Sequence, residues 1–156
     1  LHVSSDSFSF AMGEFTAEFP GDRMYVSNHM WALQTTDDRW RFGLTGYAVR
    51  LLQDVYFLEW TLEPATPIAS RQLIGAIESK KAESDLYAPI AGVLVAINET
   101  CLTDPSVINA DTYGEGWLFE IESQDVGSLL SPDGYLTHLA DAWEVAQRTI
   151  KGQANH

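Results

Sequence analysis

Short apolar runs bounded by turn residues recur along most of the chain, and they predict β-strands. These runs are residues 25–34, 39–44, 55–60, 73–77, 92–97 and 117–122. Each is rich in β-branched or aromatic residues, as strands are. In residues 39–44, Trp40 and Phe42 alternate with arginines, which indicates a half-buried strand. Residues 55–60 are apolar on both faces, which predicts a strand between two layers.

Two helices are indicated by capping signals. Thr45 is a suitable N-cap for a short helix over residues 46–52. Ser131 followed by Pro132 opens a longer helix, because serine caps helices and proline is favoured at the first helical position. Its predicted apolar stripe consists of Leu136, Leu139, Ala140, Trp143, Ala146 and Ile150. The pattern therefore predicts a mainly β (α+β) domain with a C-terminal helix packed on its outside.

The N-terminal residues 1–24 are rich in serine and phenylalanine. Phe8, Phe10, Phe15 and Phe19 are spaced irregularly, so we expect an extended arm that lays aromatic side chains on the domain surface. The segment lacks the basic and apolar regions of a secretory signal and the arginine-rich character of a transit peptide. We divide the chain into this arm, a β domain over residues 25–130 and the helical segment 131–156.

Length and charge narrow the range of partners. The 156 residues fit one domain, and 46% of them are apolar, which is enough for a sizeable core. Asp and Glu number 22 against 9 Lys and Arg, giving a net charge of −13. Such a surface repels nucleic acid and anionic membranes and favours partners with basic docking faces. No apolar run approaches the roughly 20 residues that a transmembrane helix needs.

Catalytic and metal-binding motifs are missing from the sequence. The four histidines have no ligand spacing, and the glycines form neither a phosphate-binding loop nor a dinucleotide-binding motif. The single cysteine, Cys101, excludes an internal disulfide, fits a reducing compartment, and is interpreted as a small buried hydrophobic residue. We predict no catalytic residue and no metal site.

One stretch, residues 78–89, carries chemistry of its own. It holds Lys80 and Lys81, two of the three lysines in the chain, between the apolar runs 73–77 and 92–97. A lysine at the tip of a rigid β-turn presents a primary amine that an acyl-transferring enzyme can modify. The simpler interpretation is a solvated hairpin tip, since lysines are mostly exposed.

The motifs around these lysines occur in a specific order and spacing, and together they resemble the H-protein of the glycine cleavage system. They extend from about Tyr25 to Glu122. The matching segments are His29-Met30-Trp31, Gly43-Leu44-Thr45, Gly75-Ala76-Ile77-Glu78-Ser79, Lys81-Ala82, Ser84-Asp85-Leu86-Tyr87-Ala88-Pro89, Gly92, Asn98-Glu99, Asp104-Pro105, Asn109 and Tyr113-Gly114-Glu115-Gly116-Trp117.

The resemblance implies a lipoyl-domain-like fold, a flattened β-barrel or barrel-sandwich hybrid with the modified lysine at a hairpin tip. By position, Lys81 is the lipoylated residue and lipoic acid is the cofactor. Glu78 and Ala82 match positions that the family uses for recognition by the lipoylating enzyme. His29 matches a position near the cleft that shelters the arm, although a hydrogen-bonded strand histidine is an equally good interpretation. Trp31 and Trp117 are expected in the core.

The same resemblance implies a non-catalytic carrier subunit. Such a carrier takes an aminomethyl group from glycine decarboxylase, delivers it to aminomethyltransferase and is reoxidised by dihydrolipoamide dehydrogenase. A lipoate ligase or transferase attaches its arm. The implied form is a monomer in the bacterial cytoplasm or, for a mature eukaryotic protein, the mitochondrial matrix.

Several positions depart from the family pattern and keep other functions open. Met30 stands where many members have glutamate, and Gly46 where they have an acidic residue. Alternatives are an H-like lipoyl relay for another lipoyl-dependent pathway and an unmodified interaction domain. A biotin carrier is a more distant alternative, because that family places methionines around its lysine and none flanks Lys81.

Overall fold

The computed structural model describes residues 6–154, and their side chains as far as residue 148. The strands are β1 Phe8–Met12, β2 Phe15–Phe19, β3 Met24–Val26, β4 Met30–Thr36, β5 Arg39–Leu44, β6 Val55–Trp60, β7 Thr66–Ile68, β8 Leu73–Ser79, β9 Glu83–Tyr87, β10 Gly92–Ile97 and β11 Phe119–Glu122. The helices are α1 Gly46–Leu52, α2 Glu99–Thr103, α3 Val107–Ala110 and α4 Pro132–Ala154. None of these described helices is long and apolar enough to cross a membrane.

Two antiparallel sheets form the body of the domain. The larger sheet has the order β3-β4-β5-β11-β10-β7, and the smaller one has the order β6-β8-β9. The main core consists of inward-facing residues of both sheets, among them Phe42, Ile74, Ile77, Leu94, Phe119 and Ile121. The result is the predicted mainly β, flattened barrel-sandwich fold with a C-terminal helix.

A second apolar cluster lies between the β1–β2 hairpin, helix α4 and the chain around β3 and β4. It contains Phe19, Tyr25, Trp31, Tyr47, Tyr135 and Leu139. The rings of Tyr25 and Tyr135 stack in parallel with centroids 4.7 Å apart, and the edge of Phe19 meets Tyr135 at 5.8 Å. This cluster fixes α4 against the sheet.

Both capping predictions are confirmed. The hydroxyl oxygen of Thr45 accepts a hydrogen bond from the amide of Ala48 at the start of α1. Helix α4 begins at Pro132, and Oγ of Ser131 accepts from the amide of Gly134 at 3.1 Å. In the predicted stripe Leu139 is fully buried but Ala140 is exposed, and the side chain of Ile150 lies outside the described residues.

The N-terminal aromatic segment is a β-hairpin, whereas an irregular extended arm was predicted. Strands β1 and β2 pair from Phe8 opposite Phe19 to Met12 opposite Phe15. Gly13 occupies the two-residue turn with φ +67°, a conformation that glycine adopts without strain. Within each of these strands the side chains alternate between two faces, and this alternation decides which aromatic side chains face the domain. The irregular spacing across the whole segment therefore did not indicate the hairpin. The division at residues 25–130 and 131–156 stays a prediction.

Three local predictions were wrong. Strand β6 is the edge of the smaller sheet, so Tyr56 is 61% exposed instead of lying between layers. Strand β8, which leads into the lysine turn, pairs with the polar strand β9, whereas residues 92–97 were the expected flank. Strand β9 lacks apolar alternation, since Leu86 is its one buried residue. Trp117 leaves the core face of Phe119 and contacts Arg41, whose guanidinium lies 4.4 Å from the ring centroid.

Candidate functional site

The two lysines occupy the centre of a tight turn between β8 and β9. Glu78 pairs with Glu83, and the amide of Ser79 donates to the carbonyl of Ala82 at 2.8 Å. Oγ of Ser79 also accepts from the amides of Lys81 at 3.3 Å and Ala82 at 3.1 Å. These bonds hold the turn in one conformation, because Ser79 is buried and satisfies the backbone of the loop.

The side chains of the turn point away from the domain. Lys80, Lys81 and Ala82 are all exposed, and among the described residues neither lysine forms a salt bridge. The amide of Lys80 is tied to the carbonyl of Asp54 at 2.9 Å, which links the turn to the chain before β6. Glu78 is half-buried on β8, next to the turn. The turn therefore combines a rigid backbone with mobile amines.

His29 lies in a turn and not in a strand, which corrects the prediction of one strand over residues 25–34. Val26 pairs with Met30, so residues 27–29 form a three-residue hairpin loop. His29 takes its last position with φ +68°, where this loop type needs a left-handed residue. The sequence signal for this turn was the pair Ser27-Asn28, which interrupts the apolar run.

The imidazole of His29 is held by residues from distant parts of the chain. Its Nδ1 lies 2.9 Å from the hydroxyl of Tyr135, which lies 2.9 Å from Oγ1 of Thr45. The ring of His138 stacks on it at 5.3 Å, and the ring of Tyr47 lies at 4.6 Å. Burial, together with His138, lowers the pKa of His29 from 6.5 to about 4, so the ring is neutral near pH 7.

A cleft of about 240 Å³ opens beside His29. It is mostly apolar and lies between α1, the 27–29 loop and the strands of the lysine hairpin. Its lining includes His29, Tyr47, Leu51, Ile77, Asp85 and Leu86. Ile77, Ser84 and Asp85 also line a shallower pocket of about 270 Å³ that contains Glu78 and Glu83. Both pockets therefore touch the strands of the lysine hairpin, and neither is lined by residues 79–82 of the turn itself.

A larger cavity of about 390 Å³ adjoins this cleft. The two share Asn28 and Tyr87, and Nδ2 of Asn28 donates to the carbonyl of Tyr87 at 3.4 Å between them. Neither His29 nor a residue of the lysine turn lines the larger cavity, whereas the smaller cleft is lined by His29 and by Ile77 and Ser84 of the two strands that lead into the turn. Trp31 is fully buried and Trp117 is half-buried, and neither lines either cavity.

Tyr135 is the site residue that sequence reasoning missed. It lies four residues before Leu139 on the buried face of α4, so the helical period contained the signal. Its hydroxyl contacts could not be read from that period, because His29 and Thr45 are 106 and 90 positions away.

Comparison with known proteins gives the family of the chain. A sequence model of the glycine cleavage H-protein matches residues 23–142. The chain belongs to the glycine cleavage H-protein family. A glycine cleavage system H protein from Mycolicibacterium smegmatis is 39% identical over 125 residues, covering 76% of this chain and 95% of the relative. A probable glycine cleavage system H protein from Natronomonas pharaonis is 41% identical over 125 residues, covering 79% and 98%.

A solved H-protein structure has the same fold. The crystal structure of a glycine cleavage system H protein from Mycobacterium marinum superposes with a TM-score of 0.70 at 35% identity, covering 78% of this chain and 99% of that one. The β1–β2 hairpin lies outside the segment that the H-protein family model matches, as does α4 beyond residue 142. The lysine turn, the cleft and Tyr135 all lie inside it.

Proposed function

We propose that this chain is the lipoyl carrier of the glycine cleavage system and that lipoic acid is attached to Nζ of Lys81 through an amide bond. The observation that carries this proposal is an exposed lysine at the centre of a turn fixed by Ser79, in a member of the H-protein family. Lys80 is equally exposed. The choice of Lys81 is supported by its place in the motif, three residues after Glu78 and directly before Ala82.

The residues around the turn suit such a group. When attached, the lipoyl group supplies a redox-active disulfide at the end of a long flexible arm. Ser79 keeps the anchor of that arm in place, so the motion resides in the arm and the lysine side chain. The apolar cleft beside His29 offers a nearby surface that excludes water from the arm between encounters.

Recognition by the lipoylating enzyme is assigned to Glu78 and Ala82. Glu78 lies on β8 directly before the turn, and Ala82 begins the return to β9. Because the methyl group of Ala82 is exposed and small, an enzyme can approach the neighbouring lysine closely. Glu78 is half-buried, and its backbone is held in β8, so its carboxylate offers the enzyme a negative charge next to the turn.

The carrier itself needs no catalytic residue. Its partners in this proposal are glycine decarboxylase, aminomethyltransferase, dihydrolipoamide dehydrogenase and a lipoate ligase or transferase. The net charge of −13 speeds encounters with enzymes that present basic docking faces, because steering raises association rates more than affinity. We expect the monomeric carrier to work in the bacterial cytoplasm or, in a eukaryote, in the mitochondrial matrix.

Intact mass after incubation with lipoate, ATP and a lipoate ligase tests the attachment site. One lipoyl group is expected on the wild type and on Lys80→Arg, and none on Lys81→Arg. Modification of Lys81→Arg would contradict the assignment. If a ligase that modifies a control H-protein leaves the wild type unmodified, the carrier function is contradicted.

A second measurement separates glycine cleavage from another lipoyl-dependent pathway. The lipoylated chain is mixed with purified glycine decarboxylase, and exchange of labelled bicarbonate into glycine is followed. The lipoylated wild type is expected to support exchange, and Lys81→Arg is not. A lipoylated chain that supports no exchange, beside an active control H-protein, would point to the relay alternative.

A further inference from the structure

A chain of hydrogen bonds connects α1 to His29 through Tyr135. The amide of Ala48 donates to Oγ1 of Thr45 at 3.4 Å, and this oxygen lies 2.9 Å from the hydroxyl of Tyr135. The hydroxyl of Tyr135 in turn lies 2.9 Å from Nδ1 of His29. Thr45 and Tyr135 are fully buried, so each hydroxyl hydrogen needs an acceptor within the protein.

The number of available donors and acceptors fixes which atom donates in each of these hydrogen bonds. Among the described residues, the hydroxyl of Thr45 has no neighbour other than the Ala48 amide and Tyr135. The Ala48 amide is a donor, so the hydrogen of Thr45 can be accepted only by the oxygen of Tyr135. The hydrogen of Tyr135 then goes to Nδ1 of His29. The reverse direction leaves the buried Thr45 hydrogen without an acceptor, which is unfavourable because an unsatisfied buried hydroxyl loses its hydrogen bond to water without replacement.

The other ring nitrogen of His29, Nε2, is neither hydrogen-bonded nor fully buried in the described part of the chain. The neighbouring His138 uses its own Nε2 elsewhere, since that nitrogen donates to the carbonyl of Ser27 at 2.8 Å. His29 itself lines the cleft. A neutral ring that accepts at Nδ1 carries its proton on Nε2.

We propose that Tyr135 is a positioning residue that holds His29 in the Nε2–H tautomer and so presents a hydrogen-bond donor to the cleft. The donor suits a neutral acceptor atom on a molecule stored there. The identification of this molecule as the lipoyl arm rests on the function proposed above. The assignment of the tautomer does not depend on that function.

The position of the Tyr135 hydroxyl is set by its aromatic surroundings. The ring is stacked on Tyr25 with an interplanar angle of 4°, and Phe19 closes its edge. Burial raises the pKa of Tyr135 far above its usual value, so the hydroxyl keeps its hydrogen at neutral pH. Tyr135 therefore remains a donor to His29 wherever the imidazole is neutral.

The tautomer can be read directly by NMR on the full chain labelled with ¹⁵N-histidine, without lipoate, at pH 7. Long-range ¹H–¹⁵N correlations are expected to show His29 of the wild type with a protonated Nε2 and an unprotonated Nδ1. Tyr135→Phe keeps the ring stack but removes the donor, and a mixture of tautomers is expected. Thr45→Ser keeps the hydroxyl and is expected to retain the wild-type pattern.

Tyr47→Phe is the matched control. The ring of Tyr47 lies as close to His29 as that of Tyr135, yet within the described residues its hydroxyl makes no hydrogen bond. The tautomer is expected to be unchanged in this variant. A proton on Nδ1 in the wild type, or a pure Nε2–H form in Tyr135→Phe, would overturn the proposal.

Lipoylation then tests the role of the donor. When Lys81 carries the lipoyl group, the His29 Nε2–H signal is expected to shift in the wild type, and Lys81→Arg treated with the same ligase should show no shift. An unchanged signal on a fully lipoylated chain would overturn the donor role in the cleft. The tautomer is measured on the unmodified chain. If the carrier function is contradicted, the tautomer result therefore still stands, and the two failures can be told apart.

Discussion

Ser79 bonds Ala82 three times across the lysine turn. Its amide and its hydroxyl both donate to the carbonyl of Ala82, at 2.8 and 3.1 Å, and its Oγ accepts from the Ala82 amide at 3.1 Å. This pair closes the loop that holds Lys80 and Lys81. One small buried side chain thus determines how rigidly the proposed arm is anchored.

Replacing Ser79 by alanine is expected to loosen the turn without unfolding the sheet. The loss of its hydroxyl bonds should lower the free energy of unfolding by about 1–2 kcal/mol, since each net bond contributes about 0.5–1.5 kcal/mol. The kcat/KM of lipoylation should fall several-fold. Ser84→Ala, an exposed serine on β9, is the control and should leave both quantities near wild type. Equal lipoylation rates in the two variants would contradict the anchoring role.

Glu78 and Glu83 face each other across the lysine hairpin. Substituting each in turn should separate recognition by the lipoylating enzyme from the stability of the fold. Like charges directly opposite in a sheet repel, so Glu78→Gln and Glu83→Gln should each stabilise the fold by about 0.2–1 kcal/mol. Only Glu78→Gln is expected to raise the KM of the lipoylating enzyme. Urea unfolding and ligase kinetics measure the two effects. An equal rise in KM for both variants would indicate general electrostatics and not a specific role of Glu78.

Leu51 is 40% exposed and lines the cleft beside His29, and Leu73 is 46% exposed on β8 outside it. In the lipoylated and reduced protein, Leu51→Asn should weaken the apolar shelter of the arm. The rate at which a soluble disulfide reagent reacts with the arm thiols is expected to rise several-fold. Leu73→Asn should leave this rate unchanged. The same rate in both variants would show that the cleft does not retain the arm.

The lowered pKa of His29 predicts a pH dependence of stability. Its folded pKa of about 4 lies below the ordinary 6.5, so the unfolded chain binds a proton more readily. The contribution is complete above pH 6.5 and is lost as the pH falls from 6.5 through 4, at about 1.4 kcal/mol per pH unit at most. His138, which stacks on His29, stays unchanged in both proteins of this comparison.

His29→Asn isolates this effect, because asparagine also tolerates the left-handed conformation at φ +68°. Urea unfolding at intervals between pH 4 and 7 should show the wild type losing stability relative to His29→Asn toward the acidic end. Parallel curves for the two proteins would contradict the prediction.

Close backbone approach at Gly75 gives a prediction about the sheet that carries the lysine turn. A Cβ at Gly75 would lie 2.7 Å from the ring of Trp60 and even closer to the carbonyl oxygen of Glu59. Gly75→Ala should therefore lower the free energy of unfolding by about 1–3 kcal/mol. Gly127→Ala has open space around it and should stay within about 1 kcal/mol of wild type. Equal urea midpoints in the two variants would exclude a steric role for Gly75.

Local patterns were sufficient for most of the elements. Alternation identified β5, capping residues identified the starts of α1 and α4, and apolar runs identified β8 and β10. Strand β9 was missed because its residues are polar, and the 27–29 loop was missed because apolar residues flank it on both sides. The N-terminal hairpin escaped detection because its period is visible only within each short strand.

The sequence by itself determined the family, the fold class and the lysine turn, since these depend on motif order and on short-range chemistry. The site assignments of Lys81, Glu78, Ala82 and His29 remain predictions. Only the tertiary structure decided what surrounds His29. Tyr135 reaches it from 106 positions away, and the cleft is formed by α1, the 27–29 loop and the lysine hairpin together. Such contacts depend on how layers pack, and the period within one element shows which face is buried but not which residues of other elements that face will meet.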